Sequence, residues 1–374
     1  MIYIHIPFCE SKCLYCDFNS YDGIDYLKAS YADALQDDIV KSENIFNIVE
    51  TIYIGGGTPL LIGAEKIQLV LKTVKKTFDV AKEAEISIEA NPESINPGDL
   101  LKLRESGVNR ISLGFQSLSD RNLSLLGRIH DANKAVQSYL LAREAGYENI
   151  NIDMIYGIPG QSLKDWEEEL EQVIDIGPEH LSLYPLSIEE GTPLKKMVDD
   201  GRINDIDEDN QAEMMEATAS KLLKYRPRGG YRHYEISNYA IDGYDCSHNL
   251  NYWSCSDYLG FGAGAHSHRQ GRRWWNVDDP VDYVEWLGLG SKPVAGEERL
   301  TIESRVAESI FLGLRMMRGA DIDRIEERFE VNILKMYESE IKSLIDDGLI
   351  EIGNNLKLTK KGEIFANQAM SAFV

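Results

Sequence analysis

The chain has 374 residues, with 39 Lys and Arg against 62 Asp and Glu, and a formal net charge of −23. That length allows two or three domains around a sizeable core, and the acidic balance excludes a broad electrostatic attraction to nucleic acid. No apolar run approaches the roughly 18 residues that suggest a membrane span, and the sequence has no internal repeat or low-complexity tract.

The chain begins directly with a predicted strand over residues 2–6, with no secretory signal ahead of it. Cysteine use is otherwise low, which fits a reducing, cytosolic compartment. Cys9, Cys13 and Cys16 follow in a C-x3-C-x2-C loop. Thiolates this close on one loop hold a metal or a cluster. Three ligands to a four-iron cluster leave one iron open for chemistry. Zinc, with His5 as a fourth ligand, and a disulfide are the weaker readings: zinc knuckles favour paired C-x2-C ligands, and short loops with an odd cysteine count strain a bridge.

Further β-rich segments occur at 51–55, 85–91, 110–116, 149–156 and 180–186, separated by helical patterns. The clearest helix carries Leu163, Trp166, Leu170, Val173 and Ile174 on one face, and a later one Ala212, Met215, Ala219 and Leu222. Six strands with helical crossovers imply a parallel sheet. The strands are not continuously apolar, as strands buried on both faces would be. Ile52, Ile54, Ile86, Ile88, Ile111 and Leu113 alternate with Tyr53, Gly55, Ser87, Glu89, Ser112 and Gly114. Ile150, Ile152 and Met154 likewise oppose Asn151 and Asp153. The apolar faces are expected to meet helices, and the polar faces to line a concave interior. The architecture is therefore α/β, a partial, open (β/α)6 barrel around a polar ligand. Gly55-Gly56-Gly57-Thr58-Pro59 follows the second strand; adjacent glycines let backbone approach a ligand and expose N–H groups. This turn, the cysteine loop, Asn91-Pro92 and Gly157-Ile158-Pro159-Gly160 are expected at the carboxyl ends of the strands.

Three regions follow: a core at 1–235, a connecting region at 236–295 and a C-terminal unit at 296–374. The last has predicted helices at 300–317, 321–329 and 334–347, then a hairpin turning at Gly353-Asn354-Asn355. This α+β pattern is winged-helix-like. With no basic recognition face it reads as a packing or partner-docking module.

The cysteine loop, the glycine turn and the six βα units together resemble the radical S-adenosylmethionine (SAM) enzymes. The resemblance implies a 4Fe–4S cluster on Cys9, Cys13 and Cys16. Its unligated iron would bind SAM, and reductive cleavage of the sulfonium would give methionine and a 5′-deoxyadenosyl radical. Tyr3-Ile4-His5-Ile6-Pro7-Phe8-Cys9, Ile88-Glu89-Ala90-Asn91-Pro92, Gly114-Phe115-Gln116-Ser117, Gly127-Arg128-Ile129-His130 and Asp153-Met154-Ile155-Tyr156-Gly157-Ile158-Pro159 resemble the coproporphyrinogen-oxidase-type group over essentially the whole chain. Carried over by position, Tyr3, Tyr15, Gly56, Gly57, Thr58, Glu89, Gln116, Arg128 and Asp153 would contact SAM. Arg128 could offer its fork to the methionine carboxylate; an exposed salt bridge is the alternative.

That group holds oxygen-independent coproporphyrinogen III dehydrogenases and haem chaperones. The dehydrogenases carry one more cysteine where this chain has Phe18, and an N-terminal extension for which the eight residues before Cys9 leave no material. Ser247-His248-Asn249-Leu250-Asn251-Tyr252-Trp253 resembles the H-N-x-x-Y-W signature of the chaperones, over 248–253. The resemblance implies haem b as cargo, with His248 as an axial ligand, Asn249 orienting it, and Tyr252 and Trp253 against the macrocycle. Cys246, Cys255, His266 and His268 are rival ligands, and Arg272 and Arg273 are candidates for the propionates. The expected function is a cytoplasmic haem chaperone, peripheral at the membrane where its acceptors are respiratory haemoproteins, with a homodimer left open. Cluster and SAM would serve haem handling rather than turnover. The alternative is the dehydrogenase, a radical oxidative decarboxylase.

Overall fold

The computed structural model describes residues 1–42, 46, 48–225 and 229–374. Strands β1 (Ile2–Ile6), β2 (Val49–Gly56), β3 (Val80–Ala90), β4 (Arg110–Gln116), β5 (Ile150–Tyr156) and β6 (His180–Pro185) pair in parallel in sequence order. Helices α1 (Lys28–Lys41), α2 (Ala64–Thr77), α3 (Pro97–Glu105), α4 (Asp120–Leu126), α5 (Ala132–Glu144), α6 (Leu163–Ile176), α7 (Pro193–Asp199) and α8 (Glu208–Lys224) fall between and after them. The sheet is longer than six strands. β7 (Tyr231–Glu235) and β8 (Asn238–Ile241) extend it antiparallel beyond β6, and β9 (Leu259–Phe261) pairs in parallel with the outer edge of β1. The nine strands form an open sheet, a partial barrel rather than a closed one.

The alternation read from the sequence decides the two faces. Ile52, Ile54, Ile88, Ile111, Leu113, Ile150 and Ile152 are buried in one continuous core with the helices. The opposite faces of the same strands bound a cavity. α6 starts with a full capping box, Ser162 with Asp165, and ends on Gly177 in the left-handed region. On α8 the buried stripe is Met214, Thr218 and Leu222, one position off the expected Ala212, Met215 and Ala219 face. The reason is a buried hydrogen bond: Trp166 Nε1 donates to Thr218 Oγ1 at 2.8 Å.

After β8 comes α9 (Ser247–Trp253), and after β9 a three-stranded sheet of β10 (His266–Arg269), β11 (Arg272–Asn276) and β12 (Val294–Arg299), with α10 (Pro280–Gly288) between β11 and β12. Tyr283 and Leu287 of α10 join the main core. A second core belongs to α11 (Ile302–Leu314), β13 (Ala320–Asp321), α12 (Ile322–Phe329), α13 (Ile333–Met336), α14 (Glu338–Asp346), β14 (Ile350–Ile352), β15 (Asn355–Leu358) and, after the short α15 (Lys360–Ile364), α16 (Ala366–Ser371). Strands β13, β15 and β14 form its small sheet. The helix expected at 334–347 is two helices, because Tyr337 leaves the helical region at φ −118°, ψ 33°. No helix among the described residues is long and apolar enough to cross a membrane.

Candidate functional site

The cysteine loop is pinned at several points. Cys9 N donates to Tyr21 O (2.8 Å), and Leu14 N to Leu126 O (3.0 Å). Asn19 Nδ2 donates to Ala263 O (3.1 Å) and Asp278 O (3.0 Å). The glycine turn is stitched to the same loop, because Gly57 N donates to Ile6 O (2.9 Å) and Thr58 N to Phe8 O (2.6 Å). A Cβ on Gly57 would stand 2.9 Å from Cys9 Sγ, and Gly56 sits at φ 122°, where side chains are strained. These glycines are therefore required by close backbone approach beside the thiols.

All three cysteines border one cavity of about 500 Å³ at the carboxyl ends of the strands. Burial pushes the Cys9 and Cys13 thiols up. Arg128 opposes the shift at Cys13, with Nη1 3.3 Å from its Sγ. Among the described residues, no three His, Cys, Asp or Glu groups converge on a point that could hold one metal ion. A cluster asks something different, since each thiolate binds its own iron, and three free thiols on one cavity wall fit that donor set.

The wall below is polar. Glu89 accepts from Tyr53 Oη (2.9 Å) and from Gly56 N (3.0 Å). Burial, then the charge of Asp153, pushes its carboxyl up to about 7. Asp153 is held by Ser112 Oγ (2.8 Å) and Asn151 Nδ2 (2.7 Å), and burial raises it too. Gln116 faces the same cavity with φ 67°, a strained value for a residue with a side chain. Arg128 is not an exposed salt bridge. Its side chain is 5% exposed, and Nη2 donates to Asn91 Oδ1 (2.7 Å) and Gly114 O (3.1 Å).

Of the residues expected around SAM, Tyr15, Gly56, Gly57, Glu89, Gln116, Arg128 and Asp153 border the cavity. Thr58 stands behind it, accepting from Asn91 Nδ2 at 2.8 Å. Tyr3 is also set back, its Oη 2.9 Å from His5 Nδ1. The Gly157–Gly160 turn is outside this cavity; Pro159 and Gly160 border a separate cleft with Leu14. Sequence reasoning missed Arg110, which is 2% exposed in the cavity wall with an unpaired Nε. Asn249, expected beside His248, also borders the cavity. Phe18, in place of a fourth cysteine, stands 65% exposed at the same cavity.

His248 lies at the other end of β2. Its Nδ1 is 2.9 Å from Thr51 Oγ1, and its ring packs on Tyr53 (5.2 Å) and Tyr252 (5.1 Å). Ser247 N and His248 N donate to Glu85 Oε2 (2.9 Å) and Oε1 (3.1 Å), fixing the start of α9. The imidazole is 1% exposed, and burial holds it neutral by pushing its pKa down to about 3. Nε2 is buried without a partner. A neutral ring with one free nitrogen suits an iron ligand, but iron reaches it only if α9 moves. Two of the rivals have polar partners. Cys246 Sγ lies 3.6 Å from Glu85 Oε1, and both ring nitrogens of His268 have partners. His266 stacks on Trp275. Arg272 and Arg273 pair with Glu297, Glu298 and Glu308.

Comparison with known proteins agrees with this geometry. The Radical SAM superfamily model matches residues 3–173, and the HemN C-terminal domain model residues 300–365. The solved structure of coproporphyrinogen III oxidase (HemN) from Escherichia coli superposes with a TM-score of 0.86 at 23% identity, over 100% of this chain and 89% of that one; at that identity it shows the fold. Fold and site define a radical SAM protein, whose cofactors are a 4Fe–4S cluster and SAM. Relatives named "Heme chaperone HemW" are 39% identical in Escherichia coli K12 and 34% identical in Bacillus subtilis 168. They cover 100% of this chain and 97% and 98% of their own length. The chain belongs to the HemW haem-chaperone family.

Proposed function

We propose that the protein binds haem and hands it to acceptor haemoproteins, with the cluster and SAM held in the barrel. The observation that carries this is the full-length kinship with haem chaperones, joined to a buried imidazole at His248 whose Nε2 has no partner. Cys9, Cys13 and Cys16 hold the cluster. Glu89, Gln116 and Asp153 receive the polar groups of SAM, and Arg128 its carboxylate; Tyr3 and Thr58 support that wall from behind. When bound, the cluster supplies an electron to the sulfonium. His248 ligates the haem iron. The setting is the cytoplasm, with respiratory proteins at the membrane among the acceptors, and self-association into a homodimer remains part of the reading. Residues 236–295 carry the haem segment and pack with the SAM core, and the unit from 296 onward serves as a docking module. The HemN-like fold favours one second reading, coproporphyrinogen decarboxylation.

Anaerobically reconstituted protein titrated with haemin should show His248→Ala weakening binding about tenfold or more, and no coproporphyrinogen decarboxylation. Robust decarboxylation would sink the chaperone reading; unchanged haemin affinity in the variant would remove His248 as the ligand.

A further inference from the structure

A smaller pocket of about 110 Å³ lies between the end of α9 and the C-terminal module. Trp253 and Cys255 wall it on one side, and Arg318, Arg324, Arg328 and Asp321 on the other. Arg318 Nη2 donates to Ser254 Oγ at 3.3 Å, and both Nη atoms of Arg328 donate to Cys255 O at 3.3 Å. Among the described residues, no ion pair within 4.0 Å joins these three arginines to a carboxylate. In a chain of net charge −23 that is unexpected, and Arg272 and Arg273 show the ordinary outcome by pairing with glutamates. Asp321 does not neutralise the group at contact distance; its Oδ1 caps α12 by accepting from Arg324 N at 3.0 Å. A further donor stands in the same wall, because Trp253 Nε1 is buried without a partner. Cys255, at φ 51°, holds a left-handed backbone conformation that costs energy for a residue with a side chain.

Guanidinium groups present N–H donors in a planar fork that matches a carboxylate. The pocket has room for a carboxylate group and not for a macrocycle. Trp253 is five residues beyond His248 on one helix, about 7.5 Å along its axis. We propose that this seam receives a haem propionate, with the porphyrin plane outside it and the carboxylate among Arg318, Arg324 and Arg328. The inference rests on the haem-chaperone reading and adds where the carboxyl end of the cargo is held.

The test is an absorbance titration of the full chain with haemin and with haemin dimethyl ester, whose propionates are blocked. Wild type should bind haemin roughly ten- to a hundredfold more tightly than the ester, the range of one or two charge-assisted hydrogen bonds. Arg324→Gln/Arg328→Gln should weaken haemin to about the level of the ester and leave the ester unchanged. Arg269→Gln/Arg299→Gln makes the same charge change at residues that do not line the pocket and should alter neither by more than about twofold. Equal binding of haemin and ester by wild type overturns the proposal, as a site for free anions would give that result. So does unchanged haemin affinity in the pocket variant, or an equal loss in the other one. Absence of any haemin binding by wild type would instead remove the chaperone reading.

Discussion

Glu89 is pulled in two directions: two donors favour its charge, while burial and Asp153 oppose it, and the opposition is larger. A folded pKa near 7, against an ordinary 4.5, means the folded chain holds a proton that the unfolded chain has lost. Stability from this group is therefore complete below 4.5 and lost as pH rises through about 7. In cofactor-free protein, Glu89→Gln should flatten that slope and raise stability at pH 8 by about 1–3 kcal/mol. Urea denaturation at pH 5 and pH 8 reads this directly, and an undiminished slope in the variant would refute it. Cys13→Ala should abolish the brown absorbance of reconstituted protein, since two thiolates leave the cluster short of a ligand. Glu89, Gln116 and Asp153 were legible because strand residues alternate faces. Arg110 was not, since a charged residue opening a strand is usually solvated. Asn249 was not, because its direction depends on how α9 meets the barrel.

At the scale of elements, α9 is the mobile candidate. Seven residues make few internal hydrogen bonds; its first turn is held by Glu85 and by Thr51 and Tyr53 against His248, and its end by Arg315 over the Trp253 ring at 4.3 Å. Iron ligation by His248 must break the packing that buries it. Haemin should therefore speed amide hydrogen exchange over residues 247–250, and Glu85→Gln should speed haemin association severalfold. Slower exchange across α9 with haem bound would show that the imidazole is not exposed by movement of this helix. The sequence patterns for α6 and for β1 and β4 reproduce the observed elements, because caps and alternation are local signals. The α8 stripe and the break at Tyr337 were not legible. The first depends on a hydrogen bond donated by Trp166 of another helix, and the second on the packing of Ile333 and Ile341 in the second core.

For the whole molecule, the two larger hydrophobic cores among the described residues are separate in sequence: one gathers residues between 2 and 287, the other residues between 306 and 373, while a third, small cluster of Leu126, Ile155, Ile158, Leu186 and Leu194 falls within the span of the first. The strands that lengthen the sheet could not be anticipated, because β7, β8 and β9 have only three to five residues each and owe their places to neighbours far away in sequence. One of those placements bears on how the protein is made. β9 covers the outer edge of β1, Ala263 N donates to Tyr31 Oη (2.8 Å), and Asn19 reaches Ala263 and Asp278. A ribosome releases the cysteine loop first and its buttress some 240 residues later. The loop therefore has its full set of contacts only once residues 259–278 have been made, and stable metal loading is expected after that point. Asn19→Ala, which removes both side-chain ties, should lower iron per chain after reconstitution and leave far-ultraviolet circular dichroism unchanged; full iron occupancy in that variant would refute the dependence.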